Sequence, residues 1–371
     1  MATSFFRRVT KTLIVILNLT IVLLFLLASL SPFLNTAKWW MIGFTGLMAP
    51  YLIIGLILFI IFWLIVKPKM ALISLAALLI GFQQVNVVFA WRPGSAVSER
   101  KPEGLIRVVS WNIQSFNGFT KNQTARKLAR TELVESILKF EPDVVCLQEF
   151  NHKEGGNPES DNLSLFRKAY PYHHFSKDYM RNGGEYQSGC IIFSKYPIAG
   201  TGKVKYPVAE SLIYADLVKG KDTIRVFNTH LQSFKFKEAD YSDLERIRVQ
   251  DDEGLRASKN IVRKMRLAFK RRGVQAGIVK QELDKSPYPS IICGDFNDVP
   301  NSYTYFHIKG IWQDAFLKKG FGIGRSFIAL APTLRIDYIL ANGDFTVKLF
   351  DMVDEGLSDH IMLVSDLQLK K

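Results

Sequence analysis

The chain has 371 residues, 48% of them hydrophobic, with 48 Lys plus Arg against 34 Asp plus Glu and a formal net charge of +14. That apolar content is high for a fully soluble protein, and the length allows two or three domains. Cys146, Cys190 and Cys293 each sit inside an apolar run, which excludes a disulfide framework or zinc cluster and makes them buried hydrophobes.

From residue 1 to 90 there is no Asp or Glu. Three apolar stretches, 13–34, 39–66 and 70–90, are each long enough to cross a hydrocarbon core needing about 20 residues. The first, behind Arg7, Arg8 and Lys11, has the look of a secretory signal, but two further spans directly after it favour a multi-pass anchor in the cell (inner) membrane. Those three cations, with Lys67 and Lys69, prefer the cytoplasm; Lys38, Arg92, Arg100, Lys101 and Arg107 would lie opposite, so the charge count ties. With the first span dominant, three crossings leave the C-terminal part extracytoplasmic. Gln83, Gln84 and Asn86 weaken the third span, and its failure would leave that part in the cytoplasm.

Residues 91–371 carry 42 Lys plus Arg against 34 Asp plus Glu, a net +8 that suits an anionic substrate or surface as well as general solubility. Residues 91–104 are a short polar linker rich in Pro, Gly and Ser. From 105 to 371 strands dominate. Strands are expected at 106–113, at 143–147 ending in Gln148 and Glu149, at 189–194, and at 212–218 and 223–229 around a hairpin turn at Lys219-Gly220-Lys221-Asp222. Further strands are expected at 289–294, 335–341 and 361–369. Helices are expected at 124–140, with Leu128, Leu133, Val134, Ile137 and Leu138 on one side, and at 241–272. Many strands with few, unevenly spaced helices predict an α/β fold of stacked sheets with helices outside.

Polar residues punctuate the strand ends. Asn112 closes RVVSWNI, Glu149 closes DVVCLQE, Asn228 and His230 close RVFNTH, Asp295 and Asn297 follow IICG, Asp337 lies in RIDYIL, and Asp359 and His360 form SDH. Each alone has an ordinary reading as a helix-start acid, a satisfied histidine or an ion-pair partner. Together they imply a cation, because grouping buried acids without one is expensive.

The ordered set WNI, QE, NTH, GDFN, RIDYI and SDH resembles the endonuclease/exonuclease/phosphatase superfamily, which includes pancreatic-type deoxyribonuclease, apurinic-site endonucleases, neutral sphingomyelinases and inositol polyphosphate 5-phosphatases. The resemblance covers residues 105–369. It implies a four-layer α/β sandwich, two packed sheets flanked by helices, that cuts phosphate esters with a divalent ion. It also implies roles. Glu149 is the principal metal carboxylate, with Asn112 beside it directly or through water and Asp359 a second acid at the metal. Asp295 orients or deprotonates the attacking water, and Asn297 holds water and phosphate. His360 faces the scissile phosphate with Asp337 orienting it; His230 is the second active-site histidine and Asn228 its phosphate-side neighbour. Asp298 is left as a turn or capping acid. One departure is that Ile361 and Met362, rather than a proline, follow the last histidine. Oxygen ligands without a Cys/His cluster favour Mg²⁺ or Mn²⁺ over Zn²⁺.

Between His230 and Asp295 lies a basic stretch: Arg246, Arg248, Arg256, Lys259, Arg263, Lys264, Arg266, Lys270, Arg271 and Arg272, with Leu255, Ile261, Val262, Met265 and Phe269 as a packing stripe. It reads either as a solvated outer helix or as a surface for phosphate-rich partners, nucleic acid or anionic lipid. The aromatic and lysine alternation of residues 233–241 is placed against membrane or substrate. A membrane tether raises the effective concentration of bilayer components, so a lipid or lipid-linked phosphodiester is the favoured substrate. A tethered nuclease and an inactive phosphate-binding scaffold are the alternatives.

Overall fold

The computed structural model describes the chain except residues 1, 93, 95–96, 117–121, 156–160, 237–239, 241–251 and 371, and the side chains of 2–5, 123–126 and 252–257. Four helices open it: α1 (Ala2–Ala28), α2 (Ile42–Val66), α3 (Pro68–Ile80) and α4 (Phe82–Val88). Two described helices are long and apolar enough to cross a membrane; α3 and α4 make a third span only as a pair bent by 71°. The polar residues that weaken the third stretch, Gln83, Gln84 and Asn86, all fall in α4, after the bend. Gln84 donates Nε2 to the Ser29 carbonyl at the end of α1 (3.1 Å), so the bend brings α4 back to that end of the bundle.

The strands are β1 (Ala90–Trp91), β2 (Ile106–Asn112), β3 (Val144–Lys153), β4 (Tyr172–Phe175), β5 (Tyr179–Arg181), β6 (Tyr186–Ser194), β7 (Ile198–Lys205), β8 (Ser211–Lys219), β9 (Asp222–His230), β10 (Ser290–Asp295), β11 (Gln313–Asp314), β12 (Phe321–Gly322), β13 (Asp337–Ala341), β14 (Phe345–Val353) and β15 (Met362–Leu369). Between them lie the helices α5 (Gln123–Leu138), α6 (Ser164–Arg167), α7 (Asp252–Asp284), α8 (Tyr303–Lys309) and α9 (Ala315–Lys319). One sheet runs β14-β15-β2-β3-β6-β4, with β5 on β6; the other runs β11-β13-β10-β9-β8-β7; β1 and β12 form a separate pair.

The two sheets face each other across a core of Val108, Val144, Cys146 and Ile192 on one side and Ile213, Val226, Ile291 and Ile339 on the other. Leu133, Val134 and Ile137 of α5 cover the outer face of the first sheet, and Ala276, Val279 and Leu283 of α7 cover that of the second. This is the expected four-layer sandwich. All three cysteines are buried and unpaired.

Several local expectations shift. Leu128 of α5 is 61% exposed, outside the packed stripe. The second expected strand runs on past Glu149 to Lys153 because a bulge absorbs the change of direction. The helix α7 continues twelve residues beyond Arg272 to Asp284; the expected start at Tyr241, with Arg246 and Arg248, and the side chains of Leu255 and Arg256 lie outside the described residues. Along α7, Ile261 and Phe269 are buried as expected, whereas Val262 is 42% exposed. Described residues of the 91–104 linker touch the sandwich: Trp91 pairs with Phe321, and the Val97 amide donates to Asp351 (3.1 Å).

The helical bundle packs on the sandwich. Asn301 donates Nδ2 to the Ala28 carbonyl (3.2 Å), Phe269 stacks edge-on against Phe44 (5.2 Å), and Arg335 donates Nη2 to the Val87 carbonyl (2.9 Å). Gly43 and Gly46 allow the close approach: a Cβ at Gly43 would lie 2.5 Å from the Phe269 ring, and one at Gly46 2.4 Å from the Asn301 carbonyl oxygen.

Candidate active site

Register aligns the site. In the second sheet Asp295 is the partner of His230 on β9 and of Asp337 on β13, so three candidate site side chains stand in one row across three strands. Gly294 precedes them at φ 152°, and a Cβ there would lie 2.1 Å from the Thr229 carbonyl oxygen; only glycine fits where β10 meets β9. In the first sheet Asn112 ends β2 opposite Gln148, and the β3 bulge between Leu147 and Phe150 holds Glu149 at φ 53°. A non-glycine residue in that region is strained, and the bulge re-aims its carboxylate from sheet to cleft. Asn297, at φ 52°, is held likewise: its amide N–H donates to Asp295 Oδ1 (2.8 Å) and its Nδ2 to the Leu231 carbonyl (3.0 Å).

The two rows meet. Asn112 Nδ2 donates to Glu149 Oε1 (3.2 Å) and to Asp295 Oδ2 (3.1 Å), joining the sheets. His360, just before β15, places Nδ1 2.9 Å from Asp337 Oδ2 and Nε2 3.7 Å from Asp295 Oδ2. His230 Nε2 lies 3.5 Å from Asp295 Oδ2 and 3.9 Å from Glu149 Oε1. Asp359 accepts from Gln114 Nε2 (3.2 Å). Glu149, His230, Asp295, Asn297, Asp359 and His360 line one pocket of about 170 Å³.

Burial and neighbours set the charges. Burial, then Asp337, push Asp295 up to about 6, against the pull of His360 and His230. Burial works against the His360 cation, but Asp337 and Asp295 outweigh it and raise the imidazole to about 10. For His230 burial is again outweighed, by Glu210 first and then Asp295 and Glu149, and the ring is raised. Burial also raises Asp359, with His360 opposing.

These residues fit a divalent ion. Among the described residues Asp337 Oδ1 is buried without a hydrogen-bond partner, and Asp295, Asp337 and His360 offer ligand atoms within 4.8 Å of one another. His360 already spends Nδ1 on Asp337 in that trio. The half-exposed Glu149 carboxylate, with Asp359 beside the same pocket, is the more open oxygen set. Asn112 turns Nδ2 toward the carboxylates and accepts with Oδ1 from the Gln114 amide (3.1 Å), so it holds Glu149 rather than facing the pocket.

Two further expectations change. Asn228, expected beside the phosphate, is fully buried: its Oδ1 accepts from Gln148 (2.7 Å) and its Nδ2 donates to the Leu147 and Ile191 carbonyls, tying sheet to sheet. Asp298 is more than a turn acid, since it pairs with the buried Arg272 guanidinium (3.2 Å) and fixes α7 beside the GDFN loop. Sequence reasoning missed Glu210, 3.7 Å from His230 Nδ1 at φ 68°, and Ser326, whose Oγ accepts from the Ile336 and Asp337 amides. Neither stands in a strand-end motif. Nothing local in the sequence places Leu47 of α2 in the pocket wall either.

The model of the Endonuclease/Exonuclease/phosphatase family matches residues 109–360. The chain belongs to this family. A second model, a domain of unknown function (DUF8431), matches residues 11–88. Among solved structures, an endonuclease/exonuclease/phosphatase from Beutenbergia cavernae DSM 12333 is 20% identical over 72% of each chain with a TM-score of 0.50. The human Nocturnin catalytic domain with bound sulfate is 18% identical over 72% of this chain and 94% of its own, with a TM-score of 0.49. A mannosyl-6-phosphatase from Bacteroides thetaiotaomicron VPI-5482 is 15% identical over 71% and 99%, with a TM-score of 0.46. No curated protein matches the chain. As an endonuclease/exonuclease/phosphatase family hydrolase, the chain acts on phosphate ester bonds.

Proposed function

We propose that the chain is a membrane-anchored, divalent-metal-dependent phosphodiesterase acting on a lipid or lipid-linked headgroup. One observation carries the reading: the pocket that gathers Glu149, His230, Asp295, Asp359 and His360 is also lined by Leu47, from an apolar helix long enough to cross a membrane. Glu149, with Asp359 and with Asn112 steadying it, would hold Mg²⁺ or Mn²⁺, which when bound neutralises phosphate charge.

The chain's own residues supply the rest. Asp295 takes a proton from the attacking water while the oxygen adds to phosphorus, and Asn297 orients that water. The His360 imidazolium, kept charged by Asp337, stabilises negative charge on the phosphoryl oxygens as the bond to the leaving oxygen breaks in line. His230, with Glu210 behind it, supplies the second positive charge and a proton for the leaving oxygen. The basic clusters Arg7, Arg8, Lys11, Lys67 and Lys69 fall at the bundle end away from the sandwich, which supports an extracytoplasmic catalytic domain.

The test is one substrate panel for the detergent-solubilised full chain with Mg²⁺: phospholipids, plasmid DNA, RNA and inositol phosphates, with His360→Ala as control. His360-dependent release of a phospholipid headgroup supports the reading. Cleavage confined to nucleic acid makes the protein a tethered nuclease, and metal binding without turnover of any member makes it a scaffold. A reporter fused after Lys371 reads the topology.

A further inference from the structure

One wall of the pocket is apolar and does not end with the pocket. Phe327, Leu330 and Leu334 form part of it, and Leu47 of α2 stands beside them. The segment 326–334, SFIALAPTL, carries no charge and lies between Arg325 and Arg335. It runs alongside α2: Thr333 donates its hydroxyl to Tyr51 Oη (3.3 Å), one turn beyond Leu47. Leu330 is 39% exposed at its tip.

From Leu47 the helix continues as a stripe. Tyr51, Ile54, Leu58, Ile61 and Ile65 follow at three- and four-residue spacing, which puts them on one face, and they are 51%, 48%, 60%, 53% and 81% exposed. At 1.5 Å per residue the stripe from Leu47 to Ile65 is roughly 27 Å long, close to the hydrocarbon thickness of about 30 Å. A surface like this is costly in water and is at rest against hydrocarbon.

We infer that the seam between α2 and the 326–334 loop is the entrance through which the substrate reaches the site from the bilayer, with Leu47, Phe327 and Leu330 forming a subsite for the hydrocarbon chain of a membrane lipid phosphodiester. The inference rests on the lipid reading above and adds a direction of entry and a chain-binding subsite. The phosphate stops at His360 and Asp295, and the chain lies along α2 without leaving the membrane. An anchor helix is thereby part of the substrate site.

The test uses the full chain in detergent micelles and a series of alkyl p-nitrophenyl phosphodiesters, methyl, octyl and hexadecyl, in which the leaving group is constant and only the chain grows. Wild type is expected to show kcat/KM rising with chain length. Leu47→Glu and Leu330→Glu are expected to lower the hexadecyl-to-methyl ratio of kcat/KM at least about tenfold, the scale of losing one buried leucine contact. Leu128→Glu, at a 61% exposed position of α5, keeps both activity and ratio. A diazirine-bearing hexadecyl phosphonate is expected to label residues 47–58 and 326–334. A wild-type ratio independent of chain length, or unchanged ratios in both leucine variants, or labelling confined to other segments, overturns the seam while lipid turnover stands. Absence of any alkyl phosphodiester turnover alongside His360-dependent cleavage of DNA overturns the lipid reading and the seam with it.

Discussion

Asp337 Oδ2 lies 2.9 Å from Nδ1 of His360, and both side chains are buried. The acid is what makes the imidazole a cation, since burial alone would lower it. Asp337→Asn is expected to cut kcat/KM by about 10² to 10⁴ and to move the alkaline limb of the pH–rate profile toward neutrality. The sign for stability follows. A histidine raised to about 10 from an ordinary value near 6.5 stabilises the fold fully below about pH 6.5, and that contribution fades as pH climbs through 10. Thermal melts of wild type and His360→Gln should therefore converge above pH 10.

Asp295 presents the opposite cost. Its pKa is raised to about 6 from an ordinary 3.8, so the folded, metal-free chain prefers the protonated acid; the preference favours folding below about pH 4 and is lost as pH rises through 6. Asp295→Asn should abolish turnover yet melt a few degrees above wild type in EDTA at pH 8, with the two curves coinciding at pH 4. A variant less stable than wild type at pH 8 would contradict this.

Excess EDTA should abolish hydrolysis of bis-p-nitrophenyl phosphate, and Mg²⁺ or Mn²⁺ should restore it. Saturating Mg²⁺ should raise the wild-type melting temperature and leave that of Glu149→Gln nearly unmoved, because ligand binding stabilises the fold by mass action. Equal shifts in both proteins would remove Glu149 from the metal site.

Gly294→Ala sets a methyl 2.1 Å from the Thr229 carbonyl oxygen at a φ that L residues avoid. The backbone penalty alone is about 1–3 kcal/mol, and strand β10 must shift, carrying Asp295 with it. A steep drop in both melting temperature and kcat is expected. Gly277→Ala is the contrast: among the described residues nothing lies within 4 Å of its added Cβ, inside a helix, so it should stabilise slightly.

Arg272 and Asp298 are both buried, and their ion pair fixes α7 to the GDFN loop. Breaking one side should cost about 3–5 kcal/mol because the other charge is left unpaired. The double variant Arg272→Met with Asp298→Leu is expected to recover much of that loss in chemical denaturation, which a purely additive result would refute.

Much of the candidate site is legible in the chain because strand ends are written locally: an apolar run followed by Asn112, His230 or Asp295, whereas Asp359 is marked only by its place beside His360. The GDFN glycine and acid announce themselves in the same way. What escaped is set by relations across space. Glu149 was expected where its strand stopped, but the strand bulges and continues, and a bulge leaves no mark in apolar periodicity. Asn228 has the motif's identity but spends its amide on two backbones of the opposite sheet. Glu210 reaches His230 from the start of a neighbouring strand. Arg272 stands in a run of ten basic residues, and nothing in its neighbours marks it as buried beside an acid.

The grip of Asn301, Phe269 and Arg335 on the first 90 residues bears on how the protein can be handled. A fragment trimmed to the catalytic motifs would bare the Phe269 and Val299 faces that Gly43 and Gly46 now cover, and would strip Arg335, two positions before Asp337, of its Val87 acceptor. Such a fragment is expected to melt below the intact chain and to turn over more slowly, because the lost contact lies two positions from the Asp337 that orients His360.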